Sequence, residues 1–108
     1  MKPPIFCLVI IAALTAAPAP TKFTGVVSDS MCPTADHSQM RMGPTDAECT
    51  KACVEVHGAS YVLYDGKEAY TLSDQKAPEK FAGEKVTVTG TLDAKTQIIH
   101  VDSIAAAK

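Results

Sequence analysis

Residues 85–93, KVTVTGTLD, put Val86, Val88, Gly90 and Leu92 on one side of an extended chain and Thr87, Thr89 and Thr91 on the other. A two-residue period rich in β-branched residues specifies a strand with one buried face. Shorter signals of the same kind recur. Residues 21–30 (TKFTGVVSDS) alternate Phe23, Gly25 and Val27 with Thr24, Val26 and Ser28. Residues 60–64 (SYVLY) and 68–72 (EAYTL) flank Asp65-Gly66, the dipeptide that tight hairpin turns favour. Residues 97–104 (QIIHVDSI) supply a fifth strand, on which Ile98, His100, Asp102 and Ile104 are expected to share a face.

One helix interrupts this pattern. Thr45 followed by Glu48 makes a capping box, which satisfies free backbone N–H groups at a helix start. The helix is expected over 46–57 (DAECTKACVEVH) and stops at Gly58, a residue suited to the left-handed cap. Its apolar face by the i, i+3, i+4, i+7 rule is Cys49, Ala52, Cys53 and Val56. Residues 31–44 lack a period and contain Pro33, Gly43 and Pro44, which makes them a loop. Between the third and fourth strands, Pro78 suits the first position of a helical turn over 78–82. The expected fold is mainly β: a small five-stranded OB-like barrel with a Cys-containing loop-helix insertion between strands 1 and 2. A β-sandwich is the rival, for which five strands are few.

Upstream of the first strand, Lys2 precedes an apolar run from Ile5 to Ala17 that dissolves into small residues and prolines. This is the layout of a secretory signal, expected over 1–19 with cleavage after Ala17 or Ala19. The run falls short of the roughly 20 apolar residues of a membrane span, so no stable membrane anchor is expected. The remainder, 20–108, makes a single domain, small enough to benefit from a disulfide or a metal. Lys2 leaves with the leader, so 10 basic against 12 acidic residues becomes 9 against 12, a net charge of −3. The charges are scattered and form no basic stripe, which argues against nucleic acid as a partner.

Taken together, FTGVVSDSMC, the following His37, the ECTKAC helix, YVLYDGKEAYTL and VTVTGTLD resemble a family of short, secreted bacterial proteins of uncharacterised function. The resemblance covers nearly all of the chain beyond the leader. Members often carry Gly after the first cysteine, where Pro33 stands here. It implies export and a β fold, and brings no activity with it.

Cleavage removes Cys7 and leaves three cysteines, Cys32, Cys49 and Cys53. An odd number in an exported chain implies a free thiol, an intermolecular bond or a metal. With His37 the set reads C-x4-H-x11-C-x3-C, four potential ligands in 22 residues. Cys49 and Cys53, four apart on a helix, have Cβ atoms about 5–6 Å apart, too far for an undistorted disulfide. Two arrangements remain. In one, a disulfide joins Cys32 to Cys49 or Cys53, which suits an oxidising compartment and would stabilise the domain by roughly 3 kcal/mol. In the other, Cys32, His37, Cys49 and Cys53 enclose zinc, or copper assisted by Met31, Met40 and Met42. Export favours the disulfide. The C-x3-C spacing differs from that of thioredoxin-type motifs, which leaves thiol redox chemistry as a lesser option.

Other residues have ordinary explanations. Asp29 and Asp36 flank the cysteine loop and could assist a metal, although turn and cap roles are the commoner ones for Asp. His57 suits the helix C-terminal dipole, His100 and Asp102 a solvated strand face, and Tyr61, Tyr64 and Tyr70 cross-strand packing. Ser28 and Ser30 lack the context of a nucleophile elbow, and no nucleophile–base pair is legible at fixed spacing. The functional expectation is therefore an exported, non-enzymatic binding or structural module, stapled by cysteine, for an unknown small ligand or protein. A metal-binding or thiol-redox role for the Cys3His cluster is the alternative.

Overall fold

Each alternating segment becomes a strand. In the computed structural model, which describes residues 3–4, 19–38 and 43–107, the order is β1 (Thr21–Asp29), α1 (Asp46–His57), β2 (Tyr61–Tyr64), β3 (Ala69–Leu72), a 3-10 turn (Ala77–Phe81), β4 (Lys85–Asp93) and β5 (Ile98–Ala106). Most of the expected leader, including Cys7, lies outside the described residues, as do Met40 and Met42. No helix among the described residues is long and apolar enough to cross a membrane.

The five strands form one sheet that closes in a ring, ordered β1-β2-β3-β5-β4. β1 pairs antiparallel with both neighbours: its first half with β4 (Thr21↔Gly90 to Val26↔Lys85) and its second half with β2 (Val26↔Tyr64 to Asp29↔Tyr61). The closing contact is short and parallel, Thr71↔Ile98 and Leu72↔Ile99 between β3 and β5. Ser73 reinforces it, its N–H donating to the Ile99 carbonyl at 3.0 Å and its Oγ accepting from the Val101 N–H at 2.9 Å. Val27, Leu63, Leu72, Val86, Val88 and Ile99 make the core. These are the apolar positions that a two-residue period buries.

β5 departs from the expected pattern. Thr89 pairs with Ser103 but Gly90 with Val101, so Asp102 is an extra residue opposite β4. A bulge of this kind breaks the alternation. Ile99 is fully buried and His100, Asp102 and Ser103 are exposed, so Ile98, His100, Asp102 and Ile104 do not form one continuous face.

α1 spans the expected residues, with a different face turned inward. The Thr45 hydroxyl accepts from the Glu48 N–H at 3.2 Å, and Gly58 ends the helix in the left-handed region at φ 69°. The Thr45 hydroxyl also donates a hydrogen bond to the Glu48 carboxylate at 3.3 Å, a bond the capping box does not include. Cys49, Thr50 and Cys53 are buried, whereas Val56 is 67% exposed. Cys49 and Cys53 of the expected face stay inward, Thr50 joins them beside His37, and Val54 rather than Val56 packs against the apolar core. Its start presses on Gly83, where a Cβ would meet the Ala47 nitrogen at 2.8 Å.

Candidate metal centre

The strand period fails at the end of β1, where Val27, Ser28 and Asp29 are all buried. Buried polar groups in succession require partners, and the loop that follows provides them. Asp29 Oδ1 accepts from the N–H groups of Met31 at 3.0 Å and Cys32 at 2.9 Å, which bends the chain back on itself. Ser28 Oγ donates to the Cys32 carbonyl at 2.7 Å. Ala35 then turns the loop with φ 60°, in the left-handed region that costs a residue with a Cβ about 1 kcal/mol or more. His37 returns over Asp29 and is 3% exposed.

Replacing Ala35 with glycine is expected to relieve that strain and raise stability by about 1 kcal/mol. The check is the urea midpoint, which should rise. An unchanged or lower midpoint would mean that the loop leaves this conformation at no cost.

At the centre, His37 Nε2 lies 3.1 Å from Asp29 Oδ2 and 3.5 Å from Thr50 Oγ1 of α1. The ligand atoms of Asp29, Cys32 and His37 all lie within 4.8 Å of one another, and all three residues are buried. A carboxylate, a thiol and an imidazole gathered this way could hold a metal ion. Two of the four residues expected as ligands, Cys32 and His37, therefore meet, and Asp29 joins them. Cys53 is buried nearby on α1, and the charge of Asp29 acts on its thiol. Cys49 is turned to the loop edge and donates to the Gly43 carbonyl at 3.1 Å.

The disulfide expected from Cys32 to Cys49 or Cys53 is not formed here: all three cysteines are free and buried. The Cys49 thiol instead has an oxygen acceptor, the Gly43 carbonyl. Burial, then the charge of Asp29, push the Cys32 thiol above its ordinary value; the same two causes push Cys53 up to about 11. A nucleophilic cysteine needs the opposite shift. A bound cation would reverse the local balance and favour thiolate.

The remaining candidates stay apart from this centre. His57, His100 and Asp102 are exposed, and Met31 is 42% exposed. Asp36 caps its own turn by accepting from the Ser38 N–H at 2.9 Å. Asp29, expected first as a turn residue and second as an aid to a metal, is the hub of the cluster. The available signal was its position three residues before Cys32, since Asp turns the backbone two or three residues ahead. Thr50 carried no signal at all.

The fold and its cluster define a small, mainly β domain with a candidate metal centre at the junction of β1, the loop and α1. The chain belongs to DUF5818, a family of proteins of unknown function, whose model matches residues 53–107. None of the curated proteins and none of the solved structures compared with it matches. The matched segment runs from Cys53 through β2, β3, β4 and β5, so Asp29, Cys32 and His37 precede it.

Proposed function

We propose that this chain is an exported, non-enzymatic module built on an OB-like barrel, and that it binds a metal ion of the zinc class. The ligands are Asp29, Cys32 and His37, with Cys53 as the fourth. The observation that carries the proposal is the buried convergence of three different donor types within 4.8 Å. Asp29 Oδ2 and His37 Nε2, 3.1 Å apart, are spaced as two ligands each about 2.0–2.1 Å from one ion would be. The donor set is mixed, with one carboxylate and one imidazole beside sulfur. That suits zinc better than copper(I), which prefers thiolates and thioethers. Met31, exposed at the loop surface, brings no thioether to the cluster.

Such an ion would link β1, the loop and α1, the mechanical role that a disulfide would otherwise fill in a domain this small. The insertion lies between strands 1 and 2, at loops where OB barrels bind ligands. The leader at 1–19 supports export.

The test is elemental analysis and native mass of the protein purified from the exported compartment, with thiol counting after denaturation. One equivalent of zinc with three titratable thiols is expected. Cys32→Ser and His37→Asn should each weaken zinc binding by at least about 100-fold, the upper end for outer-shell losses. Two oxidised cysteines and no metal would overturn the proposal and reinstate the disulfide.

A further inference from the structure

His37 has a second nitrogen, which the cluster leaves without a hydrogen bond. Nδ1 is buried and has no hydrogen-bond partner, yet Asp46 Oδ1 stands 3.4 Å from it. Asp46 is the first residue of α1, and its carboxylate is 59% exposed while the His37 side chain is 1% exposed. The carboxylate thus reaches in from solvent toward the one buried side-chain nitrogen or oxygen among the described residues that lacks a hydrogen-bond partner.

A neutral imidazole carries a single N–H. With that N–H on Nε2, its acceptor is Asp29 Oδ2 at 3.1 Å. Nδ1 is then a bare lone pair facing a carboxylate, and two acceptors cannot bond each other. A metal ion taking the Nε2 lone pair changes this. The ring proton must then sit on Nδ1, where the Asp46 carboxylate, 3.4 Å away, is within a small adjustment of accepting it. Ligating histidines commonly donate their other N–H to a carboxylate, which fixes the ring and raises its basicity as a ligand.

Resting on the metal reading above, we infer that Asp46 is the positioning residue of this site. It accepts the Nδ1–H of His37 when Nε2 binds the ion and so raises affinity without touching the metal. Thr45 holds it there by capping the helix start, and the close approach of Ala47 to Gly83 fixes where that start lies.

The experiment measures zinc affinity by chelator competition in wild type, Asp46→Ala, Asp46→Asn and Glu48→Ala, with 15N NMR of the His37 ring before and after zinc. Asp46→Ala should lose about 10–100-fold in affinity, the usual effect of removing such a partner. Asp46→Asn keeps a carbonyl acceptor and should lose less. Glu48→Ala disturbs the same helical turn without facing His37 and should stay within about twofold of wild type, which separates a helix-start effect from a bond to the ring. On zinc binding the ring proton should move from Nε2 to Nδ1, a signature that a merely structural Asp46 would not produce. Equal affinity in wild type and Asp46→Ala, or a zinc-bound ring still protonated at Nε2, would overturn this inference and leave the metal site standing. Wild type that binds no zinc would overturn both.

Discussion

Asp29→Ala is expected to lower the stability of the metal-free protein by roughly 3 kcal/mol, the low end for breaking one partner out of a buried charged network. The carboxylate is fully buried and serves the Met31 and Cys32 N–H groups and His37. Alanine removes the shared acceptor and leaves these donors enclosed. Part of the loss is offset because a buried carboxylate no longer has to be kept out of water. A domain of this size holds only about 5–10 kcal/mol in total. The melting temperature should therefore fall by about 10 °C or more, read in the presence of a chelator. Asp29→Asn separates two roles. Its carbonyl can still accept from Met31 and Cys32, so stability should drop by only about 1 kcal/mol, the net worth of a neutral hydrogen bond. Zinc affinity, by contrast, should collapse with the lost charge. Alanine as stable as wild type would show that the loop is held by something other than this carboxylate.

The ring was legible in the sequence wherever one rule governed the local backbone. KVTVTGTLD buries Val86 and Val88 and leaves Thr87 and Thr89 half-exposed, as its alternation requires. Asp65-Gly66 turns between β2 and β3, with the Asp65 carboxylate accepting from the N–H groups of Lys67 and Glu68. Thr45 and Gly58 bound α1 at the expected residues. The failures came where tertiary contacts overrode a local pattern. Val56 fits the apolar spacing but faces solvent, because Thr50 is drawn inward beside His37. The bulge at Asp102 depends on how β5 meets β4, which no single strand encodes. Similarly, Cys32 and His37 were read as a pair from spacing alone. The partner that brings them together is Asp29, eight residues before His37, and the backbone turns that join them leave no period to detect.

Gly90→Val should cause a comparable loss of stability, about 3 kcal/mol, at the upper end of overpacking costs. Gly90 pairs with Thr21 on β1 and Val101 on β5, so strands lie on both sides of it. A Cβ there would overlap the carbonyl oxygen of His100, which is backbone and cannot swing aside. Gly25 meets the same obstacle at the carbonyl of Tyr64, where β1 passes from β4 to β2. The alternation counted both glycines as members of a face; the ring needs them as gaps. The consequence for function is a separation between the two ends of β1. Gly90 pairs with Thr21, and at about 3.3 Å per residue the far end of β1, where Asp29 lies, is more than 20 Å away. Gly90→Val should thus lower the urea midpoint while leaving zinc affinity of the folded protein within about twofold of wild type. Asp29→Asn should abolish zinc affinity with only its smaller loss of about 1 kcal/mol, and the stability losses in the double variant should add to within about 0.5 kcal/mol, as for distant sites. A loss of zinc affinity in Gly90→Val would mean that the metal centre draws its geometry from closure of the whole ring rather than from β1, the loop and α1.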